Sequence, residues 1–120
     1  MTWTVIIPGP PVAKERPRRS AFGHWYTPRR TTEYEEAVAW AAIAAGVRLQ
    51  PYAAYSVVIE LFVADRRKDL DNCAKSILDG LQRMGDGWDD RQVTSLMVRK
   101  RMAKSKDDEQ AVVRIARRPD

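Results

Sequence analysis

The stretch Tyr52 to Ala64 constrains this chain most: Tyr-Ser-Val-Val-Ile-Glu-Leu-Phe-Val is almost continuously apolar and rich in β-branched and aromatic residues. Such a run fits a strand covered on both sides, so it predicts a central strand rather than an edge. An amphipathic helix follows, from about Asp69 to Met84, with Leu70, Cys73, Ala74, Ile77, Leu78, Leu81 and Met84 on one stripe. A central strand feeding a one-sided helix calls for a sheet with helices packed against it.

The flanking segments supply the other parts. Thr2 to Ile7 is β-branched and aromatic and stops at Pro8-Gly-Pro-Pro11, which predicts a first strand. Val12 to Arg30 is basic, carries Pro17, Gly23 and Pro28, and has no helical period, so it reads as a long loop or irregular hairpin. Thr32 with Glu35 spells a capping box, with Glu33 and Glu36 near the positive end of the dipole. Tyr34, Val38, Ala41 and Ala45 then recur at helical spacing up to Gly46. Gly85-Asp86-Gly87 ends the second helix. Gln92 to Met102 and Gln110 to Arg117 predict two more strands, with polar Lys104 to Glu109 as the hairpin loop between them. The expected fold is therefore one α+β domain over residues 1–120, a mixed β-sheet with two main helices in the order β-α-β-α-β-β.

Charge narrows the partners. The net charge is +5, and it is concentrated in three clusters. Lys14, Arg16, Arg18, Arg19, Arg29 and Arg30 face only Glu15; Arg66, Arg67 and Lys68 follow mid-chain; Arg99, Lys100, Arg101, Lys104 and Lys106 come last. Converging on one face, such clusters would track a phosphate backbone; spread apart, they only keep a surface hydrated. The first two clusters are the candidate DNA contacts. Cys73 is the only cysteine, which excludes an intrachain disulfide and a cysteine-based zinc site. The N-terminus has neither a basic leader nor a long apolar core, and no apolar run nears the ~20 residues that span a bilayer. A cytoplasmic protein is expected.

Among the tryptophans, Trp3 and Trp40 fall on strand and helix patterns and read as core. Trp25, inside the basic loop, is the one that suits DNA contact, and neighbouring His24 suits phosphate or solvent rather than a metal.

The acidic residues carry the chemistry. Asp65-Arg-Arg-Lys-Asp-Leu-Asp-Asn72 places Asp69 and Asp71 at the strand-to-helix junction. Asp71, Lys75, Asp79 and Gln82 share the helix's polar face, and Asp89 and Asp90 precede the next strand. If that strand lies beside the central one, these carboxylates can meet at one end of the sheet. Gathered carboxylates need a cation, and oxygen donors without His or Cys select Mg²⁺ or Mn²⁺. Phosphodiester hydrolysis would follow, with Lys75 on a phosphate oxygen. Each part also has a plainer explanation: Asp69 as an N-cap, Asp86 to Asp90 as a turn, Lys75 in a surface pair. A cap needs one aspartate, however, not an Asp-x-Asp-Asn run with a second acidic pair downstream.

The Asp69-Leu-Asp-Asn72 box, Lys75 and Trp88-Asp-Asp90, with Lys14-Glu-Arg-Pro-Arg18, Tyr26-Thr-Pro28 and Tyr34-Glu35, resemble the RusA family of Holliday-junction resolvases. The resemblance covers nearly the whole chain. It implies an Mg²⁺-dependent endodeoxyribonuclease, with Mn²⁺ as a substitute, that acts as a homodimer and nicks four-way DNA junctions in pairs during recombination and repair. It assigns catalytic roles to Asp69, Asp71, Lys75 and Asp90, and metal binding to Asp69, Asp71 and Asp90 with Asp89 in support. Two other readings stand beside it: a DNA-binding module without catalysis, and a general metal-dependent nuclease acting on branched or single-stranded nucleic acid.

Overall fold

A computed structural model describes residues 1–85 and 87–119. Asp86, in the expected helix stop, lies outside the described residues. The elements are β1 (Thr2–Pro8), β2 (Arg18–Arg19), β3 (Trp25–Tyr26), α1 (Arg29–Ala44), β4 (Ala54–Val63), α2 (Leu70–Gln82), β5 (Val93–Met102) and β6 (Gln110–Arg118). Short 3₁₀ turns at Asp90–Gln92 and Lys106–Asp108 precede the last two strands. Four strands form a mixed sheet in the order β1-β6-β4-β5, and β2 pairs with β3 in a separate small hairpin. The expected α+β domain is the one observed, and β4 is an interior strand as its composition demands.

Alternation along β4 sets the core. Tyr55, Val57, Ile59, Leu61 and Val63 are buried on the face shared with Cys73, Ile77 and Leu81 of α2 and Tyr34, Val38 and Ala42 of α1. The helices run side by side with almost no gap at Gly80, where an added Cβ would lie 2.6 Å from the Val38 Cβ. A side chain there would force the helices apart, which only glycine avoids.

Four expectations need correction. First, β5 and β6 do not form a hairpin. β5 runs parallel to β4 on one side, and β6 runs antiparallel to β4 on the other. The α2 crossover returns the chain to start β5 beside the start of β4, so the following link must cross the far end of β4. There the Ala103 N–H donates to the Val63 carbonyl, and a Glu109 carboxylate oxygen accepts from the Ala64 N–H.

Second, α1 has no capping box at Thr32 and Glu35. It begins at Arg29, and the Pro28 carbonyl accepts the N–H groups of Thr31 and Thr32. Arg29 and Arg30 are therefore helical rather than loop residues, and Glu33 and Glu36 fall beyond the first turn. Glu35 turns inward instead, where two cations hold it more strongly than a neutral backbone donor would. The other end of α1 is as expected: Gly46 has φ +79°, and the N–H groups of Gly46 and Val47 close onto Ile43 and Ala42.

Third, Trp40 is not core. Val38 and Ala42 set the inward face of α1, and a residue midway between them points away, leaving Trp40 69% exposed. Trp3 is partly buried and packs against Tyr55. The fourth correction concerns the acidic residues.

Candidate active site

The site is built where α2 starts. Asp69 is the helix N-cap, accepting from the Asn72 N–H at 3.3 Å and the Asn72 side-chain amide at 2.8 Å. Asp71 follows in the first turn of the helix. The neighbouring Asp71 carboxyl, the two Asn72 donors and the nearby charge of Lys100 hold Asp69 below the usual carboxylate range. Exposed, hard and oxygen-only, this pair is a donor set that Mg²⁺ takes while keeping most of its water.

The basic loop is stitched onto the same helix turn. The Lys14 N–H donates to the Asn72 carbonyl at 2.8 Å, the Ser76 hydroxyl to the Val12 carbonyl, and Lys68 Nζ to the Pro11 carbonyl at 2.7 Å. Between loop and helix lies an open groove of about 430 Å³ lined by Lys14, Glu15, Arg16, Pro17, Asp71, Asn72 and Lys75.

Lys75 reaches from that groove to the second acidic segment. Its Nζ lies 3.5 Å from both Asp79 and Asp90, and their charges, Asp79 foremost, raise its pKa. Asp79 lies 3.1 Å from Lys14, and Lys14 lies 2.7 Å from Glu35, whose other oxygen takes Arg83 at 2.8 Å. Partial burial opposes the charge on Lys14, but the two carboxylates more than offset it and raise its pKa. Asp89 is occupied differently: it caps the turn before β5 and accepts from the Arg91 N–H and guanidinium, which hold its carboxyl low.

The carboxylates thus do not collect at one end of the sheet. Tyr55 pairs with Val93, so parallel β5 starts where β4 starts, whereas Asp65 and Asp69 follow the end of β4. Asp69 with Asp71 form one acidic pair, Asp89 with Asp90 another, and Lys75 stands beside Asp90. Among the described residues, no three His, Cys, Asp or Glu side chains are grouped closely enough to hold one ion.

The sequence model of the endodeoxyribonuclease RusA family matches residues 8–116. The chain belongs to the RusA family. No curated protein matches it. Among the described residues, no helix is long and apolar enough to cross a membrane.

For a RusA-family endodeoxyribonuclease the basic residues matter next, and the structure divides them. Lys14 and Lys68 are engaged internally, as described. Arg18, Arg29 and Arg67 pair with Glu15, Glu33 and Asp65 on the surface. Arg16, Arg19, Arg30 and Arg66 are exposed and form no ion pair among the described residues. Trp25 and His24 are exposed, whereas Trp88 is buried edge-on against Tyr55. Two participants could not be placed from the sequence. Lys100 belongs to the third basic cluster, but only strand register shows that it comes close to Asp69 and donates to the Arg66 carbonyl at 2.6 Å. Glu35 was visible as an acid on a helix, yet its link to Lys75, through Lys14 and Asp79, spans residues far apart in sequence.

Proposed function

We propose that this RusA-family chain is an Mg²⁺-dependent endodeoxyribonuclease that resolves four-way DNA junctions by paired, symmetric nicks. The observation that carries the reading is the placing of Asp71 and Lys75 in one groove at the start of α2, next to the cap residue Asp69 and under a basic loop. Asp69 and Asp71 would hold the ion; Asp90 would act through Lys75, and Asp89 is already engaged by Arg91. Bound there, Mg²⁺ supplies Lewis-acid activation of the phosphate and of the attacking water.

The protein's own groups do the rest. Lys75 places an ammonium in the groove for a non-bridging phosphate oxygen, where charge builds during attack. Asp79 and Asp90 keep that ammonium protonated and directed. The exposed arginines of the loop, with Arg30 and Arg66, hold the DNA backbone through charge that is blind to sequence. Resolution needs two nicks in opposed strands, and the single Asp-Leu-Asp-Asn box provides one site per chain, so a two-fold homodimer is the assembly that fits.

The test is cleavage of labelled four-way junction, linear duplex and single-stranded DNA, each with Mg²⁺ or EDTA. Junction cleavage that needs Mg²⁺, with the other substrates left intact, is expected. Equal cutting of all three identifies a general nuclease, and binding without cutting identifies a non-catalytic module.

A further inference from the structure

The wall of the groove runs on from Pro17 directly into the β2–β3 hairpin. Arg18 pairs with Tyr26 and Arg19 with Trp25, so each strand contributes only two residues. The turn is nevertheless closed. The Ser20 N–H donates to the His24 carbonyl at 2.8 Å, and the Ser20 hydroxyl oxygen accepts from the N–H groups of Phe22 and His24. Gly23 takes φ +81°, a conformation that L side chains rarely adopt, and its N–H returns to the Ser20 carbonyl.

This small, well-bonded finger presents aromatic rings to water. Phe22 is 88% exposed, Trp25 70% and Tyr26 48%, and Arg16, Arg18 and Arg19 stand exposed around them. A cluster of rings left in solvent marks a contact surface. Its charge selects the occupant. A second copy docking its own finger here would bring like charges together, whereas nucleic acid offers phosphates for the arginines and flat faces for the rings. Regular duplex offers no free base faces, because each is covered by the next pair. Unpaired bases at a branch point do.

We propose that the hairpin from Arg18 to Tyr26 is a stacking element for unpaired bases at a DNA branch point, with Phe22 and Trp25 as the platforms. It deepens the proposed function, resting on the reading that the substrate is branched DNA. The hairpin would supply selectivity for structure, while the carboxylates at α2 supply the chemistry. Because these side chains are exposed, replacing them leaves the core untouched.

The experiment measures binding by the full chain in EDTA to a four-way junction, a duplex with bulged bases, the matching duplex and a single strand. 2-Aminopurine is placed at the unpaired positions. Phe22→Ala and Trp25→Ala should each weaken binding to junction, bulge and single strand by roughly 5- to 100-fold and leave duplex binding unchanged. The wild-type chain should quench 2-aminopurine; Trp25→Ala should not, and Trp25→Phe should retain binding. Equal losses on duplex and bulged DNA overturn the proposal, as does a wild-type chain that leaves 2-aminopurine unquenched. Light scattering without DNA in which Trp25→Ala turns a dimer into a monomer also overturns it, making the hairpin a self-interface. Quenching lost in Trp25→Ala upholds the stacking element even if the wild-type chain cuts no junction, so the two readings fail separately.

Discussion

Lys75 Nζ lies 3.5 Å from Asp79, one turn further along α2, and Asp79 in turn lies 3.1 Å from Lys14. With Glu35, Arg83 and Asp90 these residues form an alternating series of charges, anchored at the buried Glu35 and ending in the groove. Asp79 is thus a positioning residue for Lys75. Asp79→Asn should slow single-turnover junction cleavage by about tenfold, with affinity in EDTA unchanged. Asp79→Glu should recover part of the rate. In a Lys75→Ala background the same change should do almost nothing, since residues acting through one another are non-additive. Additive losses would give Asp79 a separate, structural role.

Asp69→Asn, Asp71→Asn and Asp90→Asn should each abolish cleavage while leaving junction binding intact or tighter. Each removes a negative charge that repels phosphate; on the proposed function the first two would also remove an ion donor and the third a partner of Lys75. Gel-shift affinity in EDTA beside cleavage in Mg²⁺ checks this. Binding that weakens in step with activity for all three would indicate that these residues maintain the fold.

Salt dependence separates the two kinds of basic residue. Replacing Arg16, Arg18 and Arg19 together should flatten the plot of log affinity against log salt by about one unit per lost phosphate contact. Lys14→Ala should barely change that slope. It should instead lower stability by about 1–3 kcal/mol, because it removes one of two donors from a buried carboxylate. Titration over 50–200 mM salt, together with urea unfolding, distinguishes the outcomes.

Glu60 predicts a pH effect away from the site. On the sheet face opposite the helices it accepts from Arg114 and Arg101, which hold its carboxyl below the ordinary value of 4.5. A depressed folded pKa means that its stabilisation is present above about 4.5 and is lost as pH falls through the lower folded value. The wild-type chain should therefore out-melt Glu60→Gln at pH 7, and the gap should close in acid. A gap constant from pH 7 to pH 2 would show that packing, not charge, is responsible.

Sedimentation at micromolar concentration should find a dimer without DNA. The described residues offer two apolar surfaces for it: the outer side of α1 with Trp40 and Ile43, and edge strand β5 with Leu96 and Met97. Trp40→Glu and Leu96→Glu, made separately, should show which surface is used. A monomer that nicks one strand at a time would remove the paired-cut mechanism and leave a general nuclease.

Local chemistry was enough for whatever depends on near neighbours. The apolar run of β4, the stripe of α2, the Asp69 cap and the Gly46 stop each follow from side chains within a turn or two of one another, and all are found where the sequence places them. The acidic box and its lysine were legible for the same reason, since residues four apart share a helix face. Partners distant in the chain were decided only by packing. Pairing β5 parallel to β4 separates Asp90 from Asp69 along the sheet and brings Lys100 close to Asp69. Burial of Glu35 between Lys14 and Arg83 overrides a capping box that its spacing alone would favour. Trp40 faces water because the contact between α1 and α2 is set by Val38 against Gly80, a fit between two surfaces that neither segment encodes by itself.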